Sequence, residues 1–153
     1  MSKCYFDNLE KDIIDCKYIV LQNVLNEIKD NLIMLYKQSK KELDEYFDIE
    51  FIIQKLNNNV FPFEDFISLI DYIIDMIILL QAPIRNKDTL EKWNTLKVLS
   101  TNDIDSIELD KSESEIYKME YGIIYANTAT KAIKIILDEI VIIKNDILIA
   151  LAN

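Results

Sequence analysis

A single glycine, Gly122, and two prolines, Pro62 and Pro83, are all that this chain has for sharp backbone turns. Antiparallel sheets lean on those residues at their reversals, whereas helices need only short polar joints. A chain so poor in turn formers is expected to be all-α. Isoleucine is abundant and favours strands locally, but its spacing here is helical. Half of the 153 residues are apolar, which is enough for one core without disulfide or metal staples. One helical domain over residues 1–153 is therefore expected, a bundle of about five helices with a long N-terminal helix and a central apolar C-terminal one.

Residues 1–7 read as a loose lead-in, followed by a long helix over 8–46. Ile14, Tyr18, Leu21, Leu25, Ile28, Leu32 and Leu35 alternate spacings of four and three, which is a heptad seam. That seam serves either one long helix packed along a bundle or a homodimeric coiled coil through Ile14, Leu21, Leu25, Ile28, Leu32 and Leu35. The charged second half, 37–45, either projects beyond the core or breaks near Ser39. Residues 48–56 form a short amphipathic helix with Asp48 as its N-cap, stopped by Asn57, Asn58 and Asn59. Phe61 and Phe63 straddle Pro62 in an extended connector. Over 64–81, Phe66, Ile67, Ile70, Ile73, Ile74, Ile77 and Leu80 hold one helical face, with Asp65, Ser68, Asp71 and Asp75 opposite. Pro83 ends that helix. A shorter helix over 87–98 carries Leu90, Trp93 and Leu96, and residues 100–114 read as an acidic loop. The last helix spans 114–151 and is apolar almost all round from Ala132, with Ile147 and Leu151 continuing its buried side. Gly122 marks a close helix crossing or a break within it.

A net charge of −10 repels phosphate backbones, so nucleic acid is not an expected partner. The one basic cluster, Lys37, Lys40 and Lys41, is interleaved with Glu42, Asp44 and Glu45 and reads as a solvated helix face. Cys4 and Cys16 make no CxxC and the chain has no histidine, so neither a zinc site nor a histidine-dependent nucleophile is expected. Reduced thiols and a cytoplasmic location are the default reading. The two most apolar segments contain Asp71 and Asp75, and Lys134, Asp138, Glu139, Lys144 and Asp146. No membrane span is expected from segments with charges so placed. One glycine cannot build a phosphate-cradling loop. Residues 102–105 give only a fragment of a calcium-loop pattern. No cofactor, metal or catalytic residue is expected.

Arg85 stands apart, because every other basic residue is lysine. A guanidinium makes bidentate contacts with carboxylates that an ammonium cannot. Its place after the helix-ending Pro83 suits either an ion pair to an acid of the C-terminal helix, Asp146 or another nearby, or an anion or partner site.

The same corner carries a family resemblance. Residues 47–93 place Asp48, Ile52 and Gln54 on a short helix, then a connector, a long apolar helix, and Ala82-Pro83-Ile84-Arg85-Asn86. This order resembles the T-complex protein 11 family, whose short motif reads A-P-x-R-D; Asn86 stands where aspartate is usual. Ile142-Ile143-Lys144-Asn145-Asp146-Ile147 is similar to that family's L-M-K-L-D-M segment. The resemblance implies a helical, non-enzymatic protein linked with cyclic-AMP and protein-kinase-A signalling. It also implies that Pro83, Arg85, Asn86, Lys144 and Asp146 are family-type positions. A helical adaptor acting through protein contacts is the expected function. The alternative is a virus-type bundle that resembles apoptosis regulators and holds a host helix in a groove.

Overall fold

The structure, a computed structural model, describes residues 2–109 and 114–153. Those residues form α-helices and two 3₁₀ turns, without strands. The helices are α1 (Lys3–Ile14), α2 (Ile19–Leu35), α3 (Lys40–Tyr46), α4 (Ile49–Asn57), α5 (Phe63–Leu80), α6 (Asn86–Glu108) and α7 (Glu115–Ala152). The all-α bundle with a long C-terminal helix is what the turn-poor composition predicts.

The long N-terminal helix is not continuous. The expected lead-in is already helical from Lys3, where the Ser2 hydroxyl caps the Tyr5 amide at 3.3 Å. The helix then stops at Ile14. Cys16 takes a left-handed backbone (φ 58°), closed by Lys17 N–H to Asp12 O at 2.7 Å and Cys16 N–H to Ile13 O at 3.0 Å. That is the double hydrogen bond that ends helices, usually with glycine at the left-handed position. A second break falls at Tyr36, before the 3₁₀ turn Lys37–Ser39. There the Ser39 hydroxyl donates to Tyr36 O at 2.6 Å. α3 folds back, burying Leu43 and joining Lys29 to Asp44 at 3.1 Å. The heptad seam consequently faces inward. Leu21, Leu25, Ile28 and Leu32 are buried within this chain, Leu35 is half-buried, and Ile14 is exposed beside the turn. Leu21, Leu25, Ile28 and Leu32 thus pack within the intramolecular core.

Asp48 caps α4 through the Phe51 amide at 3.1 Å. Asn59 ends it in the left-handed region at φ 56°, as the asparagine run predicts. α5 buries Phe66, Ile70, Ile73, Ile74 and Ile77. α6 is about twice as long as its sequence signal, for it continues through the stretch expected to be an acidic loop. Trp93, Ser100 and Ile104 recur on one buried face, too sparsely among acids to be read as a helix. Of the expected loop, residues 110–113 lie outside the described part. α7 starts at its Ser114 cap, whose hydroxyl accepts the Tyr117 amide at 3.2 Å.

α7 is the axis of the fold. At 38 residues it is about 57 Å long, and α1, α2, α5 and α6 all pack on it. Ala126, Ala129, Ala132, Ile133 and Ile136 are fully buried along it. Asn127 of α7 donates to Glu10 of α1 at 2.9 Å. Beyond Ile143 the helix outruns the bundle: Ile147, Leu148, Ile149 and Leu151 are exposed. Burial of Ile147 and Leu151, expected from the apolar spacing, does not occur because no other helix reaches that far along them. No described helix is long and apolar enough to cross a membrane.

Gly122 lies inside α7 and marks neither a break nor a crossing, since a Cβ built there meets nothing within 4 Å. Glycine in a helix interior only adds chain entropy to the unfolded state. Gly122→Ala is therefore expected to raise the unfolding free energy by about 0.5–1 kcal/mol, measured by urea denaturation.

Candidate functional site

The corner between α5 and α6 is built from backbone outward. α5 ends at Leu80, and Gln81 and Ala82 are extended. Proline disfavours helical geometry in the residue before it, so the chain must leave the helix there. Pro83 then opens a 3₁₀ turn, Pro83–Arg85, which runs straight into α6. A buried polar group locks the bend. The Gln81 amide donates to Asn86 Oδ1 at 3.0 Å and Thr89 Oγ1 at 3.1 Å. The Thr89 hydroxyl donates on to Arg85 O at 3.2 Å. Gln81 and Thr89 are buried, so these bonds answer groups that would otherwise be left without water. Asn86 acts here as a neutral acceptor, a role that needs no charge.

Arg85 reaches across to α7. Its Nε donates to Asp146 Oδ2 at 2.8 Å and its Nη2 to Asp146 Oδ1 at 3.0 Å. This two-pronged contact is specific to guanidinium. Beside it, Lys92 Nζ lies 2.9 Å from Asp88 and 3.5 Å from the buried Glu139. A shallow cavity of about 450 Å³ is lined by Ile84, Arg85, Asp88, Glu139 and Ile142. Pro83, Arg85, Asn86 and Asp146 are thus brought together. Lys144 is half-buried and makes no ion pair among the described residues. It stands two positions from Asp146, which is more than half a helical turn around α7.

Hydrogen bonding to Arg85 holds the Asp146 carboxyl below its ordinary value of 3.8, and bonding to Asp146 raises the Arg85 guanidinium in turn. The folded state binds the Asp146 proton less tightly than the unfolded chain does. The pair's contribution is therefore complete above 3.8 and is lost as pH falls through the depressed folded value. Asp146→Asn is expected to lower the melting temperature at neutral pH, and the gap from wild type should close in strong acid. Paired thermal melts across that range check this; a gap that persists in acid would mean that packing, not charge, is responsible.

With two of its N–H groups on Asp146, Arg85 joins the start of α6 to α7. The sequence did not show what surrounds Trp93. Its indole donates to Asp71 Oδ1 at 2.7 Å, and Lys97 approaches the same oxygen at 3.0 Å. Asp71 sits on the α5 face that the spacing reads as polar, together with Asp75. The available signal was that a buried tryptophan must find an acceptor.

A second feature, not anticipated, is an open cleft of about 720 Å³. One wall is the N-terminal third of α7, with Tyr117, Tyr121 and Tyr125; facing it are Tyr18 after the Cys16 turn, and Phe61 and Pro62 before α5. Tyr125 donates to Phe61 O at 3.0 Å, and Tyr121 accepts the Phe63 amide at 2.7 Å. These bonds tie the α4–α5 connector to α7. Burial, more than the neighbouring acids and tyrosines, pushes the Tyr121 and Tyr125 phenols up.

The family described as T-complex protein 11 matches residues 1–109. The match includes α1 to α6 and the Pro83–Arg85 corner, while the similarity drawn at 142–147 lies beyond it. No curated protein matches the chain, and no solved structure does. A match over more than two thirds of the sequence, with the family-type corner inside it, makes this chain a member of the T-complex protein 11 family.

Proposed function

We propose that this protein is a non-catalytic helical adaptor that acts in the cytoplasm and modulates cyclic-AMP and protein-kinase-A signalling through protein contacts. Family membership is the observation that carries the reading. The surface beside the family-type corner supports it: Ile84 is 90% exposed next to Arg85, and Leu148, Ile149 and Leu151 extend along α7 past the bundle. Exposed apolar side chains near a rigid, charged corner suit contact with another protein. The match to this family favours the adaptor over a helix-sequestering apoptosis regulator.

The test is capture by the tagged full chain from its native host, followed by direct binding to purified regulatory and catalytic kinase subunits. The expected result is retention of a kinase subunit or of a protein that binds one. If neither subunit binds and the captured proteins have no link to the kinase, the signalling assignment is wrong.

A further inference from the structure

Three tyrosines of α7 line one side of the cleft. Tyr117, Tyr121 and Tyr125 occupy successive turns on one face of α7, with ring centroids 6.2 and 6.0 Å apart. Aromatic faces attract ammonium and guanidinium groups. Glu64 and Glu108 also line the cleft, and neither makes an ion pair among the described residues. Lys118, the lining's one lysine, lies 3.9 Å from Glu115. After burial, the field of Glu108 and Glu64 raises the Tyr117 phenol, so both acids act on the same space.

Gly122 supplies an independent observation. It is the chain's one glycine, its backbone is not in the left-handed region, and nothing lies within 4 Å of its missing Cβ. Neither conformation nor packing calls for glycine there. Gly122 does line the cleft, where a side chain would fill the floor. Its one structural effect is to keep the cleft open down to the α7 backbone.

We propose that the cleft docks a segment of a partner protein that inserts a lysine or arginine between apolar residues, the cation resting against Tyr117 and Tyr121 between Glu64 and Glu108. The proposal rests on the adaptor reading and names where, and for what chemistry, an adaptor of this shape would bind. Charge complementarity selects the occupant. The lining is apolar and acidic, a combination that rejects phosphates and acidic peptides and accepts a basic residue with apolar neighbours.

The test uses the full chain and a phage-displayed random-peptide library. Selected peptides are expected to carry lysine or arginine flanked by apolar residues. A fluorescein-labelled selected peptide should bind Gly122→Trp at least roughly tenfold more weakly than wild type. The Glu64→Gln/Glu108→Gln double variant should be similarly impaired. The charge-matched control Asp75→Asn/Asp138→Asn, remote from the cleft, should bind as wild type does. In a Cys4→Ser background, bound peptide should slow alkylation of Cys16, which lies on the cleft. Circular dichroism of each variant confirms that the helices are retained. Selection of nothing, of acidic or neutral peptides, or of peptides that bind Gly122→Trp as well as wild type would overturn the proposal. A kinase-linked partner captured equally by wild type and Gly122→Trp would remove the cleft and leave the adaptor reading standing. Cleft-directed peptides with no captured signalling partner would do the reverse.

Discussion

Trp93→Ala is expected to cost about 3–5 kcal/mol of unfolding free energy, a large share of the roughly 5–15 kcal/mol that holds a typical domain folded. The indole is 2% exposed on the inner face of α6. Its removal leaves a hole in the hydrophobic core that cannot collapse without moving a helix. The lost hydrogen bond is the smaller effect. Asp71 is 43% exposed and keeps Lys97 at 3.0 Å, so it is not stranded without a partner. Trp93→Phe separates the two contributions, since it keeps most of the packing and removes only the donor. It should therefore cost clearly less than Trp93→Ala. Urea unfolding followed by far-ultraviolet circular dichroism measures both, because each variant removes the chain's only tryptophan fluorophore. Equal losses for the two variants would show that the indole N–H, not the cavity, dominates.

Leu25→Ala is expected to cost about 2–5 kcal/mol, with an unfolding midpoint that does not change with protein concentration. Leu25 is 1% exposed at the middle of the heptad seam. In a coiled-coil dimer the seam would be completed by a second chain, and stability would then rise with concentration by mass action. In this fold it is completed by the rest of the same chain, so concentration drops out. Denaturation at two widely separated concentrations, with light scattering on the same samples, decides the matter. A midpoint that climbs with concentration in wild type and ceases to climb in Leu25→Ala would restore the dimeric seam.

The seam also shows why part of the fold was legible in the sequence and part was not. Apolar spacing reports which residues face a core. It locates α4, α5 and α7 well, because each has a dense apolar stripe, and Asp48 also marks the start of α4. It does not report where a helix stops. The break at Tyr36 falls beside Ser39, where the charged stretch offers one, but the break at Cys16 carries no glycine or proline, and the spacing of Ile14, Tyr18 and Leu21 stays in phase across that turn. Only the hydrogen bonds closing over Cys16 reveal it. The error at α6 is the converse. Its buried face is carried by Trp93, Ser100 and Ile104, and acids dominate the composition between and around them.

The candidate sites divide in the same way. Arg85 is visible as the chain's lone guanidinium, and its bond to Asp146 satisfies the geometry that distinguishes arginine from lysine. The tyrosine cleft could not be read. Its walls come from three places far apart in sequence, and each tyrosine alone is ordinary helix or connector. Gly122 stands out in the sequence only for the usual reasons for a helical glycine, a crossing or a break. The empty space beside it belongs to the tertiary structure.

The axial position of α7 has a consequence for how the molecule comes into being. Glu10 and Asn127, 117 residues apart, are joined across α1 and α7, and α2, α5 and α6 also wait for that final helix. A helical protein ordinarily folds quickly because its contacts are local. Here α1, α2, α5 and α6 leave the ribosome before the helix they share, and the faces they turn to α7 stay uncovered until it is synthesised. Residues 1–109 made alone are expected to stay in that unsealed condition and to aggregate. Joining them with separately supplied 114–153 should recover a soluble helical complex, much as a keystone set last lets an arch bear load.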